Sequence, residues 1–253
     1  MKTKPVIIFI LLAAMLSISC GVTDLVQRVG GGKTITPSDV IITDQRTVSD
    51  FTAIDLRSFG KVNLTQGDSV SLTIKGSDNI VPLIHTTVSN GTLIIDTDQG
   101  ITFLPVSNKD ILTFDITVKD LTGLTISGLG DVRMDSLSTT SFSVTMSGAG
   151  NLVLNHLTAE SLQVNVSGLG GVEIGGKVTT ATFEIPGAGG VSAGDLECQT
   201  ATVNISGLGG ATVWVTGQLN GTISGAGDVS YYGSPQTNTS SSGIGSFKPL
   251  GNK

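Results

Sequence analysis

Apolar and polar residues alternate in short runs along most of this chain, and beyond residue 123 the runs recur at a fixed interval. Leu124-Thr-Ile126, Val144-Thr-Met146, Val164-Asn-Val166, Phe183-Glu-Ile185 and Val203-Asn-Ile205 each read in-out-in. Each is followed by a glycine turn and then by a second in-out-in segment. These are Val132-Arg-Met134, Leu152-Val-Leu154, Val172-Glu-Ile174, Val191-Ser-Ala193 and Ala211-Thr-Val213, and a sixth, Val229-Ser-Tyr231, follows the turn at Ser224. A period of two over three or four residues predicts short strands that bury one face. Leu137, Leu157, Val178 and Leu196 add a further apolar position that closes several of the repeats.

The turn between the paired strands is "SGLGDV" at Ser127, and it returns at Ser147, Ser167, Pro186, Ser206, Ser224 and Ser242, at spacings of 20, 20, 19, 20, 18 and 18. A three-residue strand with one apolar face cannot bury that face alone. Stacked copies bury a continuous core, and a period near twenty suits one coil of a parallel β-helix. The expected fold is therefore all-β, a single-stranded parallel β-helix of about 18–20 residues per coil. The turn glycines are Gly128, Gly130, Gly148, Gly150, Gly168, Gly170, Gly187, Gly189, Gly207, Gly209, Gly225 and Gly227. They are expected to supply a positive φ and a close backbone approach at a shared corner. The residue between them alternates, Leu129, Ala149, Leu169, Ala188, Leu208, Ala226, then Ile244. Large over small suggests interdigitation of neighbouring coils. A coil built of two repeats, with the Leu and Ala turns on opposite edges, is the competing arrangement.

Upstream of the strict repeat, "FTAIDL", "KVNLTQ", "SVSLTIKG", "GTLIID" and "DILTFDITV" also read as strands. The one weak helical candidate is "DNIVPLIHTTV", from Asp78. Residues 20–46, with "GGG" at Gly30 and a proline at Pro37, read as a tether. The first nineteen residues read as an export signal. Lys2 and Lys4 precede an eleven-residue apolar stretch, Val6 to Leu16, too short to span a bilayer. "SIS" then leads to Cys20, which resembles a bacterial lipoprotein box and makes Cys20 the lipidation site. Ser17 stands where such boxes usually carry Leu, and an ordinary secretory signal is the alternative. The division expected is thus a lipoprotein signal peptide at 1–19, a lipidated tether at 20–46, a β-helix domain at 47–248 and a C-terminal tail at 249–253.

The ordered set "FTAIDLRSFGKVNLTQGD", "NGTLIID", the "ISGxG" turns after "LTGL" and the closing "YYGSPQTNTSSSGIGSF" resembles a bacterial family, the auto-transporter adhesin head or GIN domain. The likeness runs from Arg46 to Phe247. It implies a right-handed parallel β-helix and an adhesin-like role. No long C-terminal barrel of the self-exporting kind is evident in this sequence, so a lipid anchor is the expected attachment to the cell envelope.

Composition narrows the function. The net charge is −6, and no basic patch offsets it, which speaks against nucleic acid. The glycine turns are flanked by strands and lack a following Lys-Ser/Thr, so they are not phosphate loops. Carboxylates do not cluster. Glu173 and Glu184 lie on adjacent coils in different columns, and Asp131 and Asp228 are five coils apart. His85 and His156 have no metal-ligand spacing, and Cys198, the only other cysteine, reads as a buried filler. No catalytic residue, metal or cofactor is expected. The six Asn-x-Ser/Thr sequons reflect Thr- and Ser-rich strands. One outward column remains: Asp135, Asn155, Gly175, Gly194, Trp214 and Tyr232. Trp214 and Tyr232 beside two glycines would form a shelf for a sugar ring, or an aromatic pair covering the C-terminal end of the solenoid beneath Ser240 to Phe247. The expected function is that of an exported envelope protein that binds a glycan or another surface protein. A polysaccharide lyase or glycosidase and a purely structural envelope protein are the alternatives.

Overall fold

A computed structural model describes residues 33–98, 100–103 and 112–253. Cys20, the signal segment and Asp110 lie outside the described residues. The chain forms two compact units. In the smaller one, strand Lys33–Ile35 pairs in parallel with Ile101–Phe103. The larger is a β-solenoid, and the rest of this section concerns it.

The register fixes the coil. Ser141–Met146 pairs in parallel with the equivalent stretch one turn on, Val144 opposite Val164 and Met146 opposite Val166. The ladder continues from Val164 to Phe183, Val203 and Gly221. One repeat therefore makes one coil, and the arrangement with two repeats per coil is excluded. The in-out-in reading holds except at Tyr231, which is half-buried: Leu124, Val144, Val164, Phe183 and Val203 line one wall of the core, and Val132, Leu152, Val172, Val191 and Val229 another, all buried. A third wall closes the tube with Phe142, Leu162, Ala181, Ala201 and Leu219, together with Val178, Cys198 and Val215. Burial pushes the Cys198 thiol up to about 12, with the Glu197 charge adding to the effect.

The turn glycines have one of the two expected reasons, not both. None of the twelve has a positive φ. What they share is proximity. A Cβ at Gly148 would stand 2.0 Å from the Gly128 carbonyl oxygen, and one at Gly227 would stand 1.6 Å from that of Gly209. Real Cβ atoms do not approach that closely, so the corner is stacked backbone on backbone and admits no side chain. The residues between the glycines also differ from expectation. Leu129, Leu169, Leu208 and Ile244 do not interdigitate between coils; they point into solvent, 69%, 74%, 72% and 83% exposed.

The N-terminal end departs from the simple coil. Residues 41–46, expected to be tether, form a strand antiparallel to Ser71–Ser77. Ser71–Ser77 in turn runs antiparallel to Leu112–Val118. Ile84–Ser89 and Thr92–Thr97 make a hairpin across Asn90 (φ 50°) and Gly91 (φ 73°). Two left-handed residues of this type define the tight turn that suits strand twist. The helical candidate is a three-residue 3-10 turn, Val81–Leu83, followed directly by strand. Leu112–Val118 and Thr92–Thr97 then offer their free sides to Phe59–Gln66 and Ala53–Leu56, which begin the parallel stack. At the other end, the expected tail at 249 is in part a strand, Phe247–Gly251, paired with Val229–Tyr232. Of the outermost strands there, Gln236–Ser241 is polar and largely exposed, and Phe247–Gly251 carries Lys248 and Pro249. Charge and proline guard that open edge against further pairing.

Candidate ligand groove

The strands that follow each glycine turn form one long face of the solenoid. Two side-chain columns point outward from it. The nearer is Asp131, Asn151, Gly171, Gly190, Gly210 and Asp228; the next is Arg133, Val153, Glu173, Ser192, Thr212 and Ser230. Three glycines in a row in the nearer column leave a trough of about 560 Å³. Its ends are fixed by hydrogen bonds. Asn151 donates its side-chain amide (2.9 Å) and its backbone N–H (3.1 Å) to Asp131 Oδ1, and Gly171 N–H donates to Asn151 Oδ1 at 3.1 Å. At the far end Asp228 accepts from Lys248 Nζ at 2.7 Å and from the Ser246 amide at 2.9 Å. The Lys248 bond, then the Ser246 amide, hold the Asp228 carboxyl below its ordinary value.

The floor glycines differ in kind from the turn glycines. A Cβ at Gly190 would meet no atom closer than 3.4 Å, and one at Gly171 would touch only the side-chain oxygen of Asn151, at 3.1 Å. The fold tolerates a side chain at Gly190; the absence of one is what opens the trough. The sequence carried this signal in three successive glycines at one repeat position, but their consequence depends on the coils stacking in register.

A second depression, about 530 Å³, adjoins the trough on the other side of Glu173, Ser192 and Thr212. Tyr232 lies on its border, and the ladder places Trp214 directly beside Tyr232. The column expected to hold them is broken by bulges. Gly175 pairs with Asp195, not Gly194, and Trp214 pairs with Glu197 because Gly194, Asp195 and Leu196 are extra residues in their coil. The two rings are half-buried. What lies over them is not the segment from Ser240 to Phe247 but the last residue of the chain. Lys253 Nζ sits 5.5 Å from the Trp214 ring centre and 5.2 Å from that of Tyr232. It also bonds the Gly194 carbonyl and the Asp195 carboxylate. Cation–π contact of this kind occupies the faces a sugar ring would use.

The remaining polar residues sort into ladders. Glu184 accepts from Asn204 Nδ2 at 2.8 Å, and Asn204 Oδ1 accepts from Thr222 at 2.9 Å. His85 Nε2 lies 2.5 Å from Asp98 Oδ1 at the surface, and His156 lies beside Asp135. Among the described residues, no three His, Cys, Asp or Glu side chains converge on a point that could hold a metal ion. Nor is any described helix long and apolar enough to cross a membrane.

Residues 50–235 match the family described as "Putative auto-transporter adhesin, head GIN domain". The chain belongs to that family. A solved structure, a "putative adhesin" from Bacteroides fragilis NCTC 9343, is 30% identical at a TM-score of 0.81, with 85% of this chain and 100% of that one covered. A "putative lipid binding protein" from Parabacteroides distasonis ATCC 8503 is 22% identical (TM-score 0.72; 86% of this chain and 100% of that one). A "putative adhesin" from the same organism is 18% identical (TM-score 0.67; 86% and 100%). The last two share the fold. No curated protein matches the chain. The GIN domain here is adhesin-like in family and in architecture, and the trough is a concave feature that its coils build.

Proposed function

We propose that this GIN domain is an exported, lipid-anchored binding module of the cell envelope, and that the glycine-floored trough takes an extended glycan. One observation carries the reading: Gly190 lacks a side chain that the fold would accept, and the space so left is lined by groups that match sugar hydroxyls. Arg133 and Asn151 donate, Glu173 and Asp131 accept, and Ser192, Thr212 and Ser230 do both. The trough runs over six coils, five spacings or about 24 Å at the usual strand spacing, the length of several sugar rings. Binding without hydrolysis suits the carboxylates. Asp131 and Asp228 stand that same distance apart, far beyond the roughly 5–9.5 Å of an acid/base pair. Glu173 is the only carboxylate between them along the trough. An adhesin-like family and a neighbour described as an adhesin support the same reading.

A glycan array probed with the protein is the test. We expect a small set of related glycans to bind, and Gly190→Leu to abolish that binding while leaving the melting temperature unchanged. Binding that survives Gly190→Leu would move the site elsewhere, and an array without hits would favour a protein ligand or a structural role.

A further inference from the structure

The turn edge of the solenoid carries a second surface, separate from the trough. Leu129, Ala149, Leu169, Ala188, Leu208, Ala226 and Ile244 stand one per coil along it. Their amides are tied rung to rung: Ala149 N–H to Gly128 O at 3.2 Å, Leu169 to Gly148 at 3.1 Å, Leu208 to Gly187 at 2.9 Å and Ile244 to Gly225 at 2.8 Å. The row is therefore straight and stiff, with the coil spacing of about 4.8 Å. Every second position is a large apolar side chain, between 69% and 83% exposed, and every position between is an exposed alanine. Glycines flank each of these residues, so nothing rises beside them. The result is a comb, with apolar teeth about 9.6 Å apart and notches one methyl deep. At the N-terminal end the comb stops at the half-buried Phe59, which pairs with Leu129.

Nothing in the core explains this alternation, because these side chains touch no neighbouring coil's interior. It also does not suit an anionic lipid surface. No position of the seven turns, from the leading Ser or Pro through the second glycine, carries a charge, the flanking column holds Asp131 and Asp228, and the chain is acidic overall. We infer that the comb docks against a second copy of this chain, turn edge to turn edge, about a two-fold axis. The parity of the pattern permits this. With the copies antiparallel and the axis between Leu169 and Ala188, Leu129 meets Ala226, Ala149 meets Leu208 and Leu169 meets Ala188 of the other copy. Leu129, Leu169 and Leu208 then each enter a notch, twice over, as an isologous interface requires, while Ile244 falls opposite Phe59 of the other copy. Four such side chains present roughly 400–500 Å² of apolar surface, at the upper end of what a monomer leaves open. With the serine column alongside, the strip approaches the roughly 800 Å² each partner gives a stable interface.

Photo-crosslinking of the full-length chain in intact cells tests this. A benzophenone amino acid is placed at Ser206, beside the comb and exposed, or at Thr179, exposed and outside the turns, as the control. We expect an adduct of twice the chain mass from position 206 and none from 179. Leu169→Ser with Leu208→Ser should cut its yield at least tenfold. Ala149→Leu with Ala188→Leu should do the same, since filled notches cannot accept teeth. All four sites are exposed, so the variants should melt with the parent. Three results would overturn the inference: no self-adduct, a self-adduct that the filled notches strengthen (general stickiness), or an adduct only to lipid or to a different protein.

Discussion

At the scale of single residues, the solenoid separates positions by a distance that can be read from the structure and tested by substitution. Val166 is buried and Glu173 exposed, one strand apart across the same glycine turn. Val166→Asp should cost about 3–5 kcal/mol in chemical denaturation, because it places an unpaired charge among Met146 and its neighbours. Glu173→Ala should change stability by less than about 1 kcal/mol. The glycines divide in the same way. Gly148→Ala forces a Cβ to 2.0 Å from a carbonyl oxygen that the stack cannot move, and should cost more than about 2 kcal/mol. Gly190→Ala meets open space to 3.4 Å and should melt within a degree or two of the parent. Similar losses at the two positions would mean that the trough floor is structural.

At the scale of the elements, the strands beyond Gly210 form the least uniform part of the stack. Their repeats shorten to 18 residues by omitting the three residues Gly194, Asp195 and Leu196 of the coil before and adding one between Val215 and Gln218. Trp214 and Tyr232 lie at that point, and Lys253 lies over both rings. Trp214 is the only tryptophan, so its fluorescence reports this contact alone. Lys253→Ala should increase acrylamide quenching of that emission and leave the unfolding midpoint nearly unchanged, since an exposed cation–π contact is worth about 0.5–1 kcal/mol. Unchanged quenching would show that the lysine does not shield the ring in solution. The Asp228–Lys248 bond at the same end has a defined pH sense. The carboxyl is held below its ordinary value, so its contribution is present above the unfolded pKa and disappears as pH falls through the lowered folded one.

At the scale of the whole molecule, attachment and binding have to be compatible. A lipid at Cys20 would anchor the chain from its N-terminal side. The anchor is checked by growing cells with labelled fatty acid. Label should enter the wild type and be absent from Cys20→Ala, which should leave the membrane fraction. A wild type without label, or a variant that remains membrane-bound, would remove the lipid from the picture. Dimers formed along the turn edge would bring two antiparallel troughs into one particle, so binding on both would gain from multivalency.

The sequence by itself determined the coil and its faces. Alternation is a local property of an extended chain, so Val164 and Val166 inside with Asn165 outside could be read from three residues, and the spacing of the turns gave the repeat length. The family could be recognised from the same ordered motifs. What only the tertiary structure decided is which residues become neighbours across coils. The register showed that one repeat makes one coil, and that the glycines serve close stacking without left-handed backbone. It also moved Trp214 from Gly194 to Glu197 through a bulge of three residues. It brought Lys253 over Trp214 from the far end of the chain, made a strand of residues 41–46, and merged three separate glycines into one trough floor. These outcomes depend on hydrogen-bond registry between segments 17 or more residues apart. A single inserted residue shifts that registry without leaving a mark on the local alternation.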